Sequence, residues 1–110
     1  MLEPDLAMVA ECRSLADRWA PTLRALADPD RLLIALWLAD TSASVRDLER
    51  VTGLSQSLVS YHLRALRQAG LVDAASVGRA NIYRLAHPHL DKLASLIGSL
   101  EGPTTRAADR

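Results

Sequence analysis

A mainly α domain with one small β-hairpin is the fold class these residues predict, and three observations carry it. The core has to be aliphatic: 49% of the 110 residues are apolar, yet there is no Phe and only two Trp and two Tyr. Such a core is filled by Leu, Ala, Val and Ile, which favours helices. Apolar residues recur at helical spacing over most of the chain. Two short β-type runs flank Gly78 ahead of the final helical stretch. The length predicts a single domain, residues 1–101, followed by a disordered tail, 102–110.

Taken in order, residues 2–19 read as an amphipathic helix, with Leu6, Val9, Ala10, Leu15, Ala16 and Trp19 on one face. Pro21 is expected to end it, leaving "TLRALA" as a short second helix. In "ADPDRLLIALWLAD", Asp28 can cap, Pro29 suits the first helical position, and Asp30 favours the positive helix start. Leu32, Leu33, Ile34, Leu36, Trp37 and Leu38 make that helix apolar nearly all round, which predicts a buried element. "TSASVRDLERVTG" opens with a capping-box-like Ser44 and Asp47, turns Val45, Leu48 and Val51 inward, and stops at Gly53. "LSQSLVSYHLRALRQAG" is capped by Ser55 and closed by Gly70. "LVDAASVGRANIYRL" is the hairpin, and the last helix starts near Pro88. A helix–turn–helix over about 44–70, a wing over about 71–85 and a terminal helix over about 88–101 make a winged helix-turn-helix.

Composition narrows the function. Thirteen basic and thirteen acidic residues cancel, but unevenly. Residues 1–44 hold four arginines against seven carboxylates, whereas residues 45–85 hold six arginines against three. A neutral chain with a basic middle third can still meet phosphates there. The acidic opening "MLEPDLAMVAEC" is unlike a signal peptide, and no apolar run approaches the roughly 20 residues of a membrane span. A single cysteine, Cys12, excludes an internal disulfide and fits a reducing compartment. A cytoplasmic protein without membrane contact is expected.

The stretch from 55 to 70 carries the chemistry. Val59, Leu63 and Leu66 lie within roughly 60° on a helical wheel and form the inner stripe. Opposite them come Ser57, Ser60, Tyr61, Arg64 and Gln68, with Ser55 and Gln56 at the helix start. An ordinary solvated helix face favours Glu and Lys, and this one has no carboxylate at all. Hydroxyls, amides and guanidinium groups are what a helix uses to exchange hydrogen bonds with base edges and phosphates in double-stranded DNA. Arg79 in the hairpin loop is placed to reach the flanking minor groove. His62, beside the inner stripe, reads as a structural hydrogen-bonding residue.

"ALADPDRLLIALWL", "SVRDLERVTGLSQSLVSYHLRALRQAGLV" and "GRANIYRL" together resemble the ArsR/SmtB family of bacterial winged-helix regulators, over residues 22–85. The resemblance implies a homodimer joined through its first and last helices, each protomer reading half of an inverted-repeat operator, with a bound effector loosening the grip. One reader helix covers few base pairs, so a symmetric operator independently asks for a symmetric dimer. Leu90, Leu93, Leu96, Ile97 and Leu100 supply apolar surface for the partner. Tyr61 stands where many relatives carry a second histidine.

Many family members sense metals. The cysteine-pair site of the "SVRDLE" helix has no counterpart here, and Cys12 is the lone candidate for an N-terminal one. A third family site places an acid and a histidine two residues apart at the start of the last helix, with the remaining ligands from the partner. His87 and His89 match that first pair, with His in place of the acid. The partner positions fall on Leu100 and Pro103, which cannot bind metal, with Glu101 close by. Two readings follow. An extended His87, favoured by Pro88, could turn toward His89 and share Ni(II) or Zn(II) with it, completed by Glu101, Asp91 or Cys12. Alternatively His87 caps the helix and His89 is exposed or interfacial.

The expected function is therefore a repressor-like, sequence-specific transcriptional regulator that binds an operator as a homodimer, with a response to Ni or Zn. The alternative is a winged-helix interaction module that acts through a partner regulatory protein, without metal sensing. No Gly-rich phosphate loop and no carboxylate–histidine constellation suggests an enzyme.

Overall fold

A computed structural model describes residues 3–100. Helix α1 (Leu6–Leu26) is capped by Asp5, whose carboxylate accepts from the backbone N–H of Ala7 and Met8 at 3.0 and 3.3 Å. It runs through Pro21 as one helix, where two were expected. A proline inside a helix costs about 3 kcal/mol because one hydrogen bond is lost. Here Pro21 and Asp17 are exposed, so water can serve the freed carbonyl, and burial of Trp19 and Thr22 on the other side offsets the loss. The remaining apolar face of α1 is uncovered: Leu6 is 78% exposed, with Met8, Val9 and Leu15 also open.

Helix α2 (Pro29–Leu38) begins as its sequence dictates, with Asp28 as cap and Pro29 at the start. Its burial departs from expectation. Only Ile34 and Leu38 are buried, while Leu32, Leu33, Leu36 and Trp37 are exposed, Leu36 at 63%. One stripe of this helix fills the core, and the surplus apolar residues stay on the surface of the single chain.

A short strand β1 (Ala43–Ser44), helix α3 (Val45–Thr52), helix α4 (Gln56–Gln68), strands β2 (Val72–Val77) and β3 (Ala80–Leu85), and helix α5 (His87–Gly98) complete the order. The hairpin β2–β3 pairs Val77 with Ala80 across a two-residue loop, Gly78–Arg79. Gly78 takes φ 62°, a left-handed value that L side chains avoid. Strand β1 pairs with β3, Ala43 opposite Tyr83 and Ser44 opposite Ile82, making a three-stranded sheet of order β1-β3-β2. Two residues are too few to show a period, so the sequence predicts only the hairpin.

The core joins Ile34 and Leu38 of α2 to Ala43, Leu48, Val59, Leu63, Leu66, Leu71 and Val72. Each large aliphatic buried this way contributes about 1.5–3 kcal/mol. The inner stripe of α4 is the centre of this cluster, so the reader helix is anchored by the most buried residues of the domain. Leu93 of α5 is buried separately. Ile97 and Leu100 are exposed, like the open face of α1.

Candidate nucleic-acid interface

The turn that orients α4 is built from local chemistry. Ser44 accepts from the Asp47 N–H at 3.1 Å while Asp47 accepts from the Ser44 N–H at 3.0 Å, the reciprocal box expected from the sequence. These hydrogen bonds, with a smaller contribution from Arg50, hold the Asp47 carboxyl below its ordinary value. At the far end of α3, the Thr52 hydroxyl donates to the Leu48 carbonyl (2.7 Å) and accepts from the Leu54 N–H (3.1 Å). Gly53, at φ 74°, reverses the chain between them. Ser55 then caps α4 by accepting from the Leu58 N–H at 3.3 Å.

With its inner stripe fixed, α4 presents its other side to solvent. Gln56, Ser57, Tyr61, Arg64 and Gln68 are exposed, and Ser60 is half-buried. Ser55 is exposed but its hydroxyl is already engaged as the cap. Arg79 stands exposed at the tip of the hairpin. Among the described residues the ion pairs are Arg13–Asp17 and Arg50–Asp47, both on the surface, which leaves Arg46, Arg64, Arg67, Arg79 and Arg84 outside any pair. An unpaired guanidinium on an exposed polar face is free to meet phosphate or a guanine edge.

Two clefts extend this surface beyond the residues named from sequence. One, between α3, the start of α4 and the wing, is lined by Ser44, Val45, Arg46, Glu49, Gln56, Ala80 and Asn81. The other brings Ser60, Arg64 and Arg67 against Tyr83 of β3. Asn81 and Tyr83 are separated in sequence from α4, and only the folding back of the wing places them beside it. Leu58, exposed at 47% on the reader helix, was also missed, because apolar residues in a periodic helix read as core. On an interface it is suited to apolar contact with a thymine methyl group.

The histidines are distributed differently. His87 is the first residue of α5 and exposed; it is neither extended nor the cap, which is Ala86 without any side-chain hydrogen bond. Within a helix, positions two apart point about 200° from each other, so His87 and His89 do not converge within one protomer. His89 stacks on Trp19, ring centroids 4.8 Å apart and planes at 28°, fastening α5 to α1. Its ring also lies over Gly70, where an added Cβ would meet His89 Cδ2 at 3.1 Å. Glu101 lies outside the described residues. His62 is buried as expected, but its Nδ1 has no hydrogen-bond partner. One of its ring nitrogens lies within 4.8 Å of a carboxylate oxygen of Asp28 and of Asp30, which stand more than thirty positions away in sequence.

A sequence profile described as "Bacterial regulatory protein, arsR family" matches residues 28–74, which run from the cap of α2 to the first part of the wing. The transcriptional repressor SmtB homolog of Synechocystis sp. is 35% identical over 92 residues, covering 84% of this chain and 67% of that protein. The chain belongs to the ArsR family. The HTH-type transcriptional regulator NmtR of Mycobacterium tuberculosis is 43% identical over 74 residues, 67% of this chain and 62% of that protein. The chain thus spans somewhat less than two thirds of this relative's length. Among solved structures, a homodimeric winged helix-turn-helix DNA-binding domain from Mycobacterium bovis superposes with a TM-score of 0.66. Its identity is 30%, over 91% of this chain and 89% of that one. The matched residues 28–74 include the short α3, the Gly53 turn and the carboxylate-free α4.

Proposed function

We propose that this protein is a repressor-like, sequence-specific transcriptional regulator that binds an operator in double-stranded DNA as a homodimer. The observation that carries the reading is the outer face of α4, exposed, free of carboxylates and set on the most buried stripe of the domain. Gln56, Ser57, Ser60, Tyr61 and Arg64 are assigned to base edges, Ser55 and Gln68 to the sugar-phosphate flanks, and Arg79 to the minor groove. Dimerisation is supported by the open apolar faces of α1 and α5 and by the homodimeric neighbour from Mycobacterium bovis. Family membership supports regulation rather than catalysis.

A response to Ni(II) or Zn(II) through His87, His89 and Glu101 is a finer part of the proposal, supported by ligand type. Because the two rings diverge within one helix, an ion held there draws ligands from both protomers. Fluorescence anisotropy with the DNA upstream of the protein's own gene tests the whole. Specific, salt-dependent binding by a dimer is expected. Equal affinity for scrambled DNA would favour an interaction module acting through a partner regulator, a reading that the zero net charge supports.

A further inference from the structure

We propose that Asp28, Asp30 and His62 form a binding site for a divalent first-row transition-metal ion. One ligand atom from each side chain lies within 4.8 Å of the other two. His62 is only 6% exposed, and its Nδ1 finds no hydrogen-bond partner. A buried polar atom without a partner is costly and rare, so its persistence asks for a ligand.

The carboxylates are equally available. Asp28 uses one oxygen, Oδ1, to accept from the N–H groups of Asp30 (2.9 Å) and Arg31 (3.1 Å), which leaves Oδ2 free. The Asp30 carboxylate makes no hydrogen bond among the described residues. Arg31 forms no ion pair with either carboxylate among the described residues, and its Nε donates to the Ala25 carbonyl at 2.7 Å. Two carboxylates and one imidazole balance a divalent charge and suit Zn(II), Co(II) or Ni(II), bound at about 2.0–2.2 Å with water completing the shell. Tetrahedral ligands at that distance stand about 3.4 Å apart, so the three atoms close inward from a spread of up to 4.8 Å when the ion binds.

The site joins the start of α2 to the middle of α4, directly behind Tyr61 and Arg64. An ion there ties the reader helix to the scaffold. That consequence rests on the DNA-binding reading; the site itself does not, and is tested without DNA.

The full-length chain carrying His87→Ala, which removes a ligand assigned to α5, is stripped with chelator and titrated with Co(II) or Zn(II) alone. One ion per protomer at micromolar affinity is expected, with a melting temperature raised by about 5 °C or more at saturation. Asp30→Asn, which removes a ligand without touching the cap, weakens affinity at least about tenfold and abolishes the thermal shift. Ser14→Ala, on the exposed side of α1, leaves both unchanged. No ion bound by the His87→Ala chain at micromolar levels would overturn the site, and binding regained once His87 is restored would move the ion to α5. Equal affinity after Asp30→Asn is added would overturn it as well.

Discussion

Helices α4 and α1 both leave one face open, and the faces are chemically opposite. On α4 the open side is serine, glutamine, tyrosine and arginine; on the N-terminal part of α1 it includes Leu6, Met8, Val9 and Leu15. A polar face without carboxylates is stable in water and competent for DNA, whereas a long apolar face is a cost until another surface covers it. One chain thus carries two unfinished surfaces, one suited to nucleic acid and the other to a second copy.

The sharpest way to break this comparison lies within α4 itself. Leu63→Ala, on its inner stripe, is expected to lose about 2–5 kcal/mol of stability in urea unfolding. Arg64→Ala, one residue on and exposed, should leave the urea midpoint within about 0.5 kcal/mol of wild type. Its effect appears in anisotropy instead, as a loss of about 1–3 kcal/mol in operator affinity. If both substitutions chiefly destabilised the fold, the outer face would have no special role.

On α1, Val9→Glu places a charge on the open apolar face. Analytical ultracentrifugation should show the dimer weakened by about tenfold or more, with the protomer's helix content unchanged. A dimer of unaltered strength would mean that this face is not the one covered.

The caps offer a smaller effect. Ser44→Ala removes one half of the box at the head of α3 and should cost about 1 kcal/mol. Asp28 and Asp47 are both held below the ordinary 3.8 by hydrogen bonds present only in the folded chain. Their contribution is therefore complete above that value and is lost as pH falls through the lower folded-state value. Unfolding midpoints measured down an acid series should decline there, and less steeply for Asp47 in Ser44→Ala. The smallest change expected is from Arg79→Ala, a uniform weakening across DNA sequences with the salt slope reduced by about 1.

Most of the fold was legible because it is written in local chemistry. Asp28, Pro29, Ser44, Asp47, Gly53, Ser55 and Gly78 each act on neighbours a few residues away, and each does what its type predicts. The outer face of α4 was legible for a related reason, since a helical period sorts exposed from buried positions. Failures came where distant segments decide. Pro21 stays inside α1 because burial of Trp19 and Thr22 outweighs a lost hydrogen bond. Ala43 and Ser44 become a strand only because β3 lies beside them. Asn81 and Tyr83 reach α4 through the wing, and His62 meets Asp28 and Asp30 through tertiary packing that no spacing announces. His87 joins the helix despite the proline after it, which separates it from His89.

The most direct test of the central claim is the affinity of the wild-type dimer for the DNA upstream of its own gene, against scrambled DNA at the same salt. Specific binding should exceed non-specific binding by about a thousandfold or more, and Arg64→Ala should erase much of that ratio. Equal affinity for the two DNAs, or a ratio indifferent to Arg64, would contradict the assignment of α4 as the reader.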